Sequence, residues 1–96
     1  MTKQDYIFLA DYYRDFGQSP QWKRFNYCQA WISENDYYDE NTETYFGMVK
    51  SYETIVAIID YSRHRFVRLG KWSRTTSKQC TQIHNQLYRE YADIQY

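Results

Sequence analysis

The sequence predicts a single α+β domain over residues 1–96, with two N-terminal helices, a three-stranded antiparallel meander and a C-terminal helix. Three observations predict it. Apolar residues recur at helical spacing in the first third of the chain, the period shortens towards two after the polar stretch at 34–43, and helical spacing returns after Thr76. Short connections between the period-two segments favour antiparallel hairpins over crossovers.

The first helix spans 2–16. Thr2 and Asp5 make a cap-like start, Tyr6, Leu9, Tyr13 and Phe16 follow at a 3.6-residue period, and Gly17 is a natural stop. Ser19-Pro20 then reads as N-cap and first-turn proline of a second helix. Trp22, Phe25, Gln29 and Ile32 lie on one line of it, widened by Cys28 and Trp31, and it ends near Ser33. Glu34-Asn35-Asp36 opens a polar loop. Residues 44–51 (TYFGMVKS) alternate loosely, 53–61 (ETIVAIIDY) form a β-branched run, and 65–72 (RFVRLGKW) alternate again after a turn at 62–64. The apolar IVAII run marks the central strand, covered by helix on at least one face. Thr76-Ser77-Lys78-Gln79 fits a capping box, and Cys80, Ile83, Leu87, Tyr91 and Ile94 continue as a helical stripe, with Arg89 and Asp93 paired on its outer face.

Composition supports a folded chain with an unusual core. Leu, Ile, Val and Phe number only 18 of 96, and 12 Tyr and 3 Trp supply the missing volume. Tyrosine suits positions that are packed at one end and wet at the other, so part of this set is expected at the surface, where aromatic residues anchor contacts. Cys28 and Cys80 are distant and form no CxxC pair, and both thiols are expected to be free in a reducing cytoplasm. No signal peptide pattern and no run of about 20 apolar residues suggests export or membrane insertion.

Templates for chemistry do not fit. His64 and His84 stand alone, outside any zinc-ligand spacing; no glycine-rich phosphate loop and no GxSxG elbow occur. Asp39 and Glu40 adjoin in a loop expected to be solvated, where nothing raises a carboxylate pKa. The expectation is a protein without catalysis, cofactor or metal.

Charge is more informative. Residues 1–48 hold eight acidic side chains against four basic, and residues 49–96 reverse the ratio, so the net charge of zero conceals a polarised molecule. The acidic stretch contains Glu34, Asp36, Asp39, Glu40 and Glu43 around Tyr37 and Tyr38. As a loop it would offer negative charge and two aromatic anchors to a basic groove that ordinarily holds nucleic acid. The basic stretch contains Arg63, Arg65, Arg68, Lys71, Arg74 and Lys78 with Phe66 and Trp72 interleaved, a pattern suited to nucleic-acid stacking or to an edge strand that resists aggregation. Ser73 to Lys78, at a helix start, adds hydroxyls and N–H groups to a candidate anion site.

Ser51-Tyr52-Glu53-Thr54-Ile55-Val56-Ala57, with Gly70-Lys71-Trp72-Ser73-Arg74-Thr75-Thr76-Ser77-Lys78 after a hairpin, resembles a family of small uncharacterised proteins of phages and other bacterial mobile elements. The resemblance covers residues 49–90. Gln79 stands where that family often carries histidine, a departure that fits capping better than catalysis. The resemblance implies a bacterial host cytoplasm and, by analogy of type, a binding protein that inhibits a host defence system, such as an anti-CRISPR protein blocking nucleic-acid or PAM binding by a Cas9-type effector. A nucleic-acid-binding accessory protein is the alternative.

Overall fold

In the computed structural model of the chain, residues 1–16, 21–25 and 29–96 are described, apart from the side chains at 16 and 34–36. The elements are α1 (Lys3–Phe16), β1 (Lys23–Arg24), β2 (Ala30–Asp39), β3 (Thr44–Ser51), β4 (Thr54–Asp60), β5 (Arg65–Arg68), α2 (Arg74–Leu87) and β6 (Ala92–Gln95). The strands lie in chain order across one six-stranded sheet. β1 to β5 pair antiparallel, whereas β6 runs parallel to β5, with α2 as the crossover between them.

Strands β4 and β5 are buried on both faces. Ile58 and Val67 pack with Tyr6, Leu9 and Ala10 of α1, while their neighbours Ile59 and Phe66 pack with Cys80 and Ile83 of α2. Alternation along the strands therefore feeds two cores, one beneath each helix, which explains why β4 reads as a continuous apolar run. One β-bulge interrupts it. Val49 pairs with Ala57 and Lys50 with Ile55, so Val56 is the extra residue, and Val56 and Ala57 both join the core under α2. A wider bulge lies in β2, where Ser33 pairs with Met48 and Tyr37 with Phe46, leaving only Gly47 opposite residues 34–36. The Met48 N–H donates to Ser33 Oγ at 3.0 Å there. A Cβ at Gly47 would overlap the Ser33 carbonyl, so this strand approach requires glycine.

The expected fold class is corrected at three places. Strand replaces the second helix: β1 folds back on β2, with Lys23 opposite Ile32 and Arg24 opposite Trp31. Phe25 and Ile32 share a core because two antiparallel strands meet, and the helix-like interval between them is a coincidence of the hairpin. Gly17, Ser19, Pro20 and Cys28 lie outside the described residues. The polar loop at 34–43 is also strand as far as Asp39, followed by a short turn to Thr44. The expected meander is the interior, β3 to β5, of the larger sheet.

At the C-terminus the helix ends at Leu87 and Tyr91 precedes a strand. The Ser73 hydroxyl, not Thr76, is the N-cap, accepting from the Thr76 N–H at 3.3 Å. Gln79 is buried and accepts the Ser51 hydroxyl at 2.8 Å. His84 Nε2 lies 2.7 Å from the Tyr91 carbonyl and fixes the turn after the helix. Asp93 does not pair with Arg89. It receives Arg68 across the β5–β6 pair, at 3.0 Å from Nε and 2.8 Å from Nη2. The first helix begins with reciprocal bonds: the Thr2 N–H to Asp5 at 2.7 Å and the Asp5 N–H to Thr2 Oγ1 at 3.3 Å. Among the described residues, no helix is long and apolar enough to cross a membrane.

Candidate functional site

Strand pairing divides the expected acidic site. Tyr37 points into the core beneath α1, stacked on Phe46 with ring centroids 5.2 Å apart, and is removed from any interface. Tyr38 points the other way and meets its cross-strand partner Tyr45 at 4.4 Å, both rings exposed. Asp39 turns back towards α1 and is 6% exposed. It accepts the Thr42 hydroxyl at 2.6 Å, the Thr42 N–H at 2.9 Å and the Tyr13 hydroxyl at 2.9 Å. Burial opposes its charge, but the bonds from Thr42 and Tyr13 outweigh burial and hold its pKa below the usual value. Glu40 and Glu43 remain exposed on the turn, Glu43 in the left-handed region at φ 52°. The backbones of Glu34 and Asp36 lie in the β2 bulge, and their side chains fall outside the described residues.

The expected basic site is divided more severely. Arg68 is 7% exposed and is held by Asp93, the Ser77 carbonyl and the Thr81 hydroxyl. Arg63 reaches from the β4–β5 turn to Asp60, to Thr44 Oγ1 at 2.8 Å and to the Thr42 carbonyl at 3.2 Å. Arg65 stands beside the Tyr6 hydroxyl, and that hydrogen bond raises its pKa. Phe66 is core. These arginines tie elements together. Lys71, Arg74 and Lys78 stay exposed near Trp72, whose indole N–H is buried without a hydrogen-bond partner among the described residues. Lys71 and Trp72 line a crevice of about 460 Å³ with Arg68, Gly70, Ser77, Gln95 and Tyr96, at the C-terminal ends of the parallel strands β5 and β6.

Tertiary structure assembles a different site from α1 and the β2–β3 turn. Phe8 and Tyr12, one helical turn apart, stack at 5.9 Å and are 64% and 46% exposed. Tyr13 packs its edge on Tyr12, Tyr37 and Phe46 while its hydroxyl reaches the turn. Between them lies a cleft of about 340 Å³ lined by Phe8, Tyr12, Tyr13, Tyr38, Asp39, Glu40 and Asn41. Its surroundings are anionic. Burial, then the hydrogen bond to Asp39, raises the Tyr13 pKa to about 12. The Tyr38 phenol is also raised, by desolvation and then by Glu43, Tyr45, Glu40 and Asp39. Phe8 and Tyr12 were legible only as two aromatic residues four apart that miss the stripe of Tyr6, Leu9 and Tyr13. Tyr45 carried no signal beyond alternation.

Two groups that could do covalent chemistry, Cys80 and Asp60, are enclosed. The Cys80 thiol is fully buried, and desolvation pushes its pKa to about 11, far from the range of a reactive thiolate. Asp60, also without exposure, receives the Tyr6 hydroxyl and Arg63. Among the described residues, no three His, Cys, Asp or Glu side chains are placed to hold a metal ion.

Residues 19–95 match the model of a protein family, covering β1 to β6 and leaving α1 outside the match. No curated protein and no solved structure matches the chain.

Proposed function

The chain belongs to DUF8033, a family of unknown function, and from that premise we propose that it is a binding protein that works without catalysis, through the acidic and aromatic face of α1 and the β2–β3 turn. One observation carries this reading: Phe8 and Tyr12 stand stacked and open to solvent beside the Asp39–Glu40 turn. Neither ring belongs to the buried core. Exposed aromatic pairs with an anionic border suit a partner that is basic and partly apolar. A protein surface that normally grips nucleic acid has that character, and negative charge on the chain would compete for it as phosphate does. The partner in this reading is a host defence protein, of which a Cas9-type effector is one example, and the setting is a bacterial cytoplasm invaded by a mobile element. The enclosed Cys80 and Asp60 favour binding over chemistry.

The test is a titration of purified nucleic-acid-binding effectors, with and without their guide RNA, against the chain and two variants. Phe8→Ser with Tyr12→Ser, and Glu40→Lys with Glu43→Lys, should each weaken binding by about tenfold or more. Unchanged affinity in both, or no binding by any effector, would end this reading.

A second reading has its own observation. Lys71 and Arg68 line the crevice beside Trp72, and Arg74 and Lys78 are exposed on α2, which suits a nucleic-acid-binding accessory protein. It requires single-strand binding that falls steeply with salt and is lost when Lys71, Arg74 and Lys78 are removed.

A further inference from the structure

Resting on that reading of the α1 face, we propose that the cleft between α1 and the β2–β3 turn is a socket for one arginine side chain presented by the protein partner. Its two sides offer the two things a guanidinium needs. Aromatic carbon comes from Phe8, Tyr12 and Tyr13 on the helix, and oxygen acceptors come from Asp39, Glu40 and Asn41 on the turn. A volume of about 340 Å³ admits one long side chain and is small for a folded element, so recognition is of a single residue.

Charge fixes the sign of the occupant. Besides desolvation, the charges that raise the Tyr38 pKa are those of Glu43, Tyr45, Glu40 and Asp39. Two arginines on the neighbouring elements are already held, Arg14 by Asp15 at 3.0 Å and Asp11 at 3.5 Å, and Arg63 by Asp60 at 3.3 Å. A phosphate or nucleic-acid base would meet carboxylates here. Asp39 already accepts three bonds, one at Oδ1 from the Tyr13 hydroxyl and two at Oδ2 from Thr42, so it supplies field, a fixed wall and one open acceptor position on Oδ1. Glu40 is exposed at the rim and supplies the carboxylate to be forked.

Arginine fits better than lysine for a geometric reason. A guanidinium is planar and weakly hydrated, so it can lie against an aromatic face while its N–H edge meets a carboxylate. An ammonium is a compact, strongly hydrated charge and loses more by leaving water. The Tyr13–Asp39 bond matters to this preference because it holds the ring wall and the turn at a constant separation.

The experiment follows backbone and aromatic resonances of the whole chain by NMR during titration with N-acetyl-arginine amide, its lysine counterpart and the neutral citrulline isostere. Arginine should give saturable shifts at Phe8, Tyr12, Glu40 and Asn41, with lysine about tenfold weaker and citrulline inactive. Glu40→Gln and Tyr12→Ser should each abolish saturation without changing the remaining spectrum, and Glu53→Gln, an exposed acid on the β3–β4 turn, should leave it intact. Equal response to lysine, or shifts scattered over Asp11 and Asp15 in place of the cleft, would overturn the socket. Effector binding that survives Glu40→Gln while arginine leaves the cleft unshifted also overturns it, but leaves the α1 face as the docking surface. Saturable arginine uptake with no effector bound supports the socket and removes the defence-protein partner.

Discussion

The hydroxyl of Tyr6, on α1, donates a 2.7 Å hydrogen bond to the carboxylate of Asp60, a side chain with no solvent exposure at the end of β4. The same carboxylate accepts the Arg63 N–H at 3.0 Å and Arg63 Nη1 at 3.3 Å. One buried charge thus anchors the helix to the sheet and orders the β4–β5 turn. Tyr6→Phe keeps the packing but withdraws a donor from a buried anion, and should cost about 1–3 kcal/mol in a denaturant titration. Tyr12→Phe, at an exposed ring, should cost less than about 0.5 kcal/mol. Equal losses would mean that the Tyr6 bond contributes nothing specific.

Tyr6 and Tyr13 should ionise well above the ordinary tyrosine value. Desolvation and then the bonds to Asp60 and Asp39 raise both to about 12, against an ordinary value of 10.0. A raised folded pKa means that the neutral form is favoured by folding. The contribution is whole below pH 10.0, where the unfolded phenol is still protonated, and is lost as pH rises towards about 12. Phenolate absorbance should therefore rise in two stages, with alkaline unfolding accompanying the second. A single stage centred on the ordinary tyrosine value would contradict this.

Asp39 behaves in the opposite sense. Its folded pKa lies below the ordinary 3.8, so its contribution is present above that value and disappears as acid protonates the native carboxylate. Amide exchange in the β2–β3 turn should quicken on acidification through this range. Asp39→Asn should flatten that dependence while leaving exchange in α2 as it was.

Gly47→Ala should be among the most damaging single-methyl additions available in the chain. The added Cβ overlaps the Ser33 carbonyl, which is backbone and cannot rotate away. A loss of about 1–3 kcal/mol is expected from the strand shift this forces. Gly70→Ala, where the new carbon meets only the Trp72 ring at ordinary contact distance, should be much milder in the same thermal melt.

Arg68 and Lys71 separate a structural cation from an available one. Arg68→Ala strands Asp93 in the β5–β6 pair and should cost about 3–5 kcal/mol. Lys71→Ala, on an exposed side chain, should change stability by less than about 0.5 kcal/mol. If the crevice beside Trp72 holds nucleic acid, retention on a single-strand column should follow Lys71, Arg74 and Lys78. Because Arg68 also lines the crevice, retention lost when Arg68 is changed reflects unfolding only where the denaturant titration shows the matching loss of stability.

The local elements with strong, unbroken periods were legible in the chain. The Tyr6, Leu9 and Tyr13 stripe gives α1, and ETIVAIIDY gives β4, because burial against a single helix face or on both sheet faces leaves a direct imprint on residue order. The segment 30–39 was not legible. Its wide bulge at residues 34–36 breaks the period of two, and the dense carboxylates there carry the composition of a loop. The residues of the expected sites are dispersed for a related reason. Alternation sends Tyr37 inward and Tyr38 outward, and ion pairing withdraws Arg63 and Arg68 from a stretch that reads as uniformly basic.

By itself the sequence determined that the charge is polarised between the chain's halves and that α1 and the strands β3, β4 and β5 form close to where they do. Tertiary structure alone decided the rest. It turned residues 92–95 into a strand, because the open edge of β5 offers N–H and C=O groups that a continued helix would leave unpaired. It also brought Phe8 and Tyr12 beside Asp39 and Glu40, since the Tyr13 hydroxyl spans from helix to turn. Long-range hydrogen bonds choose which distant residues share a surface, and no local period encodes that choice.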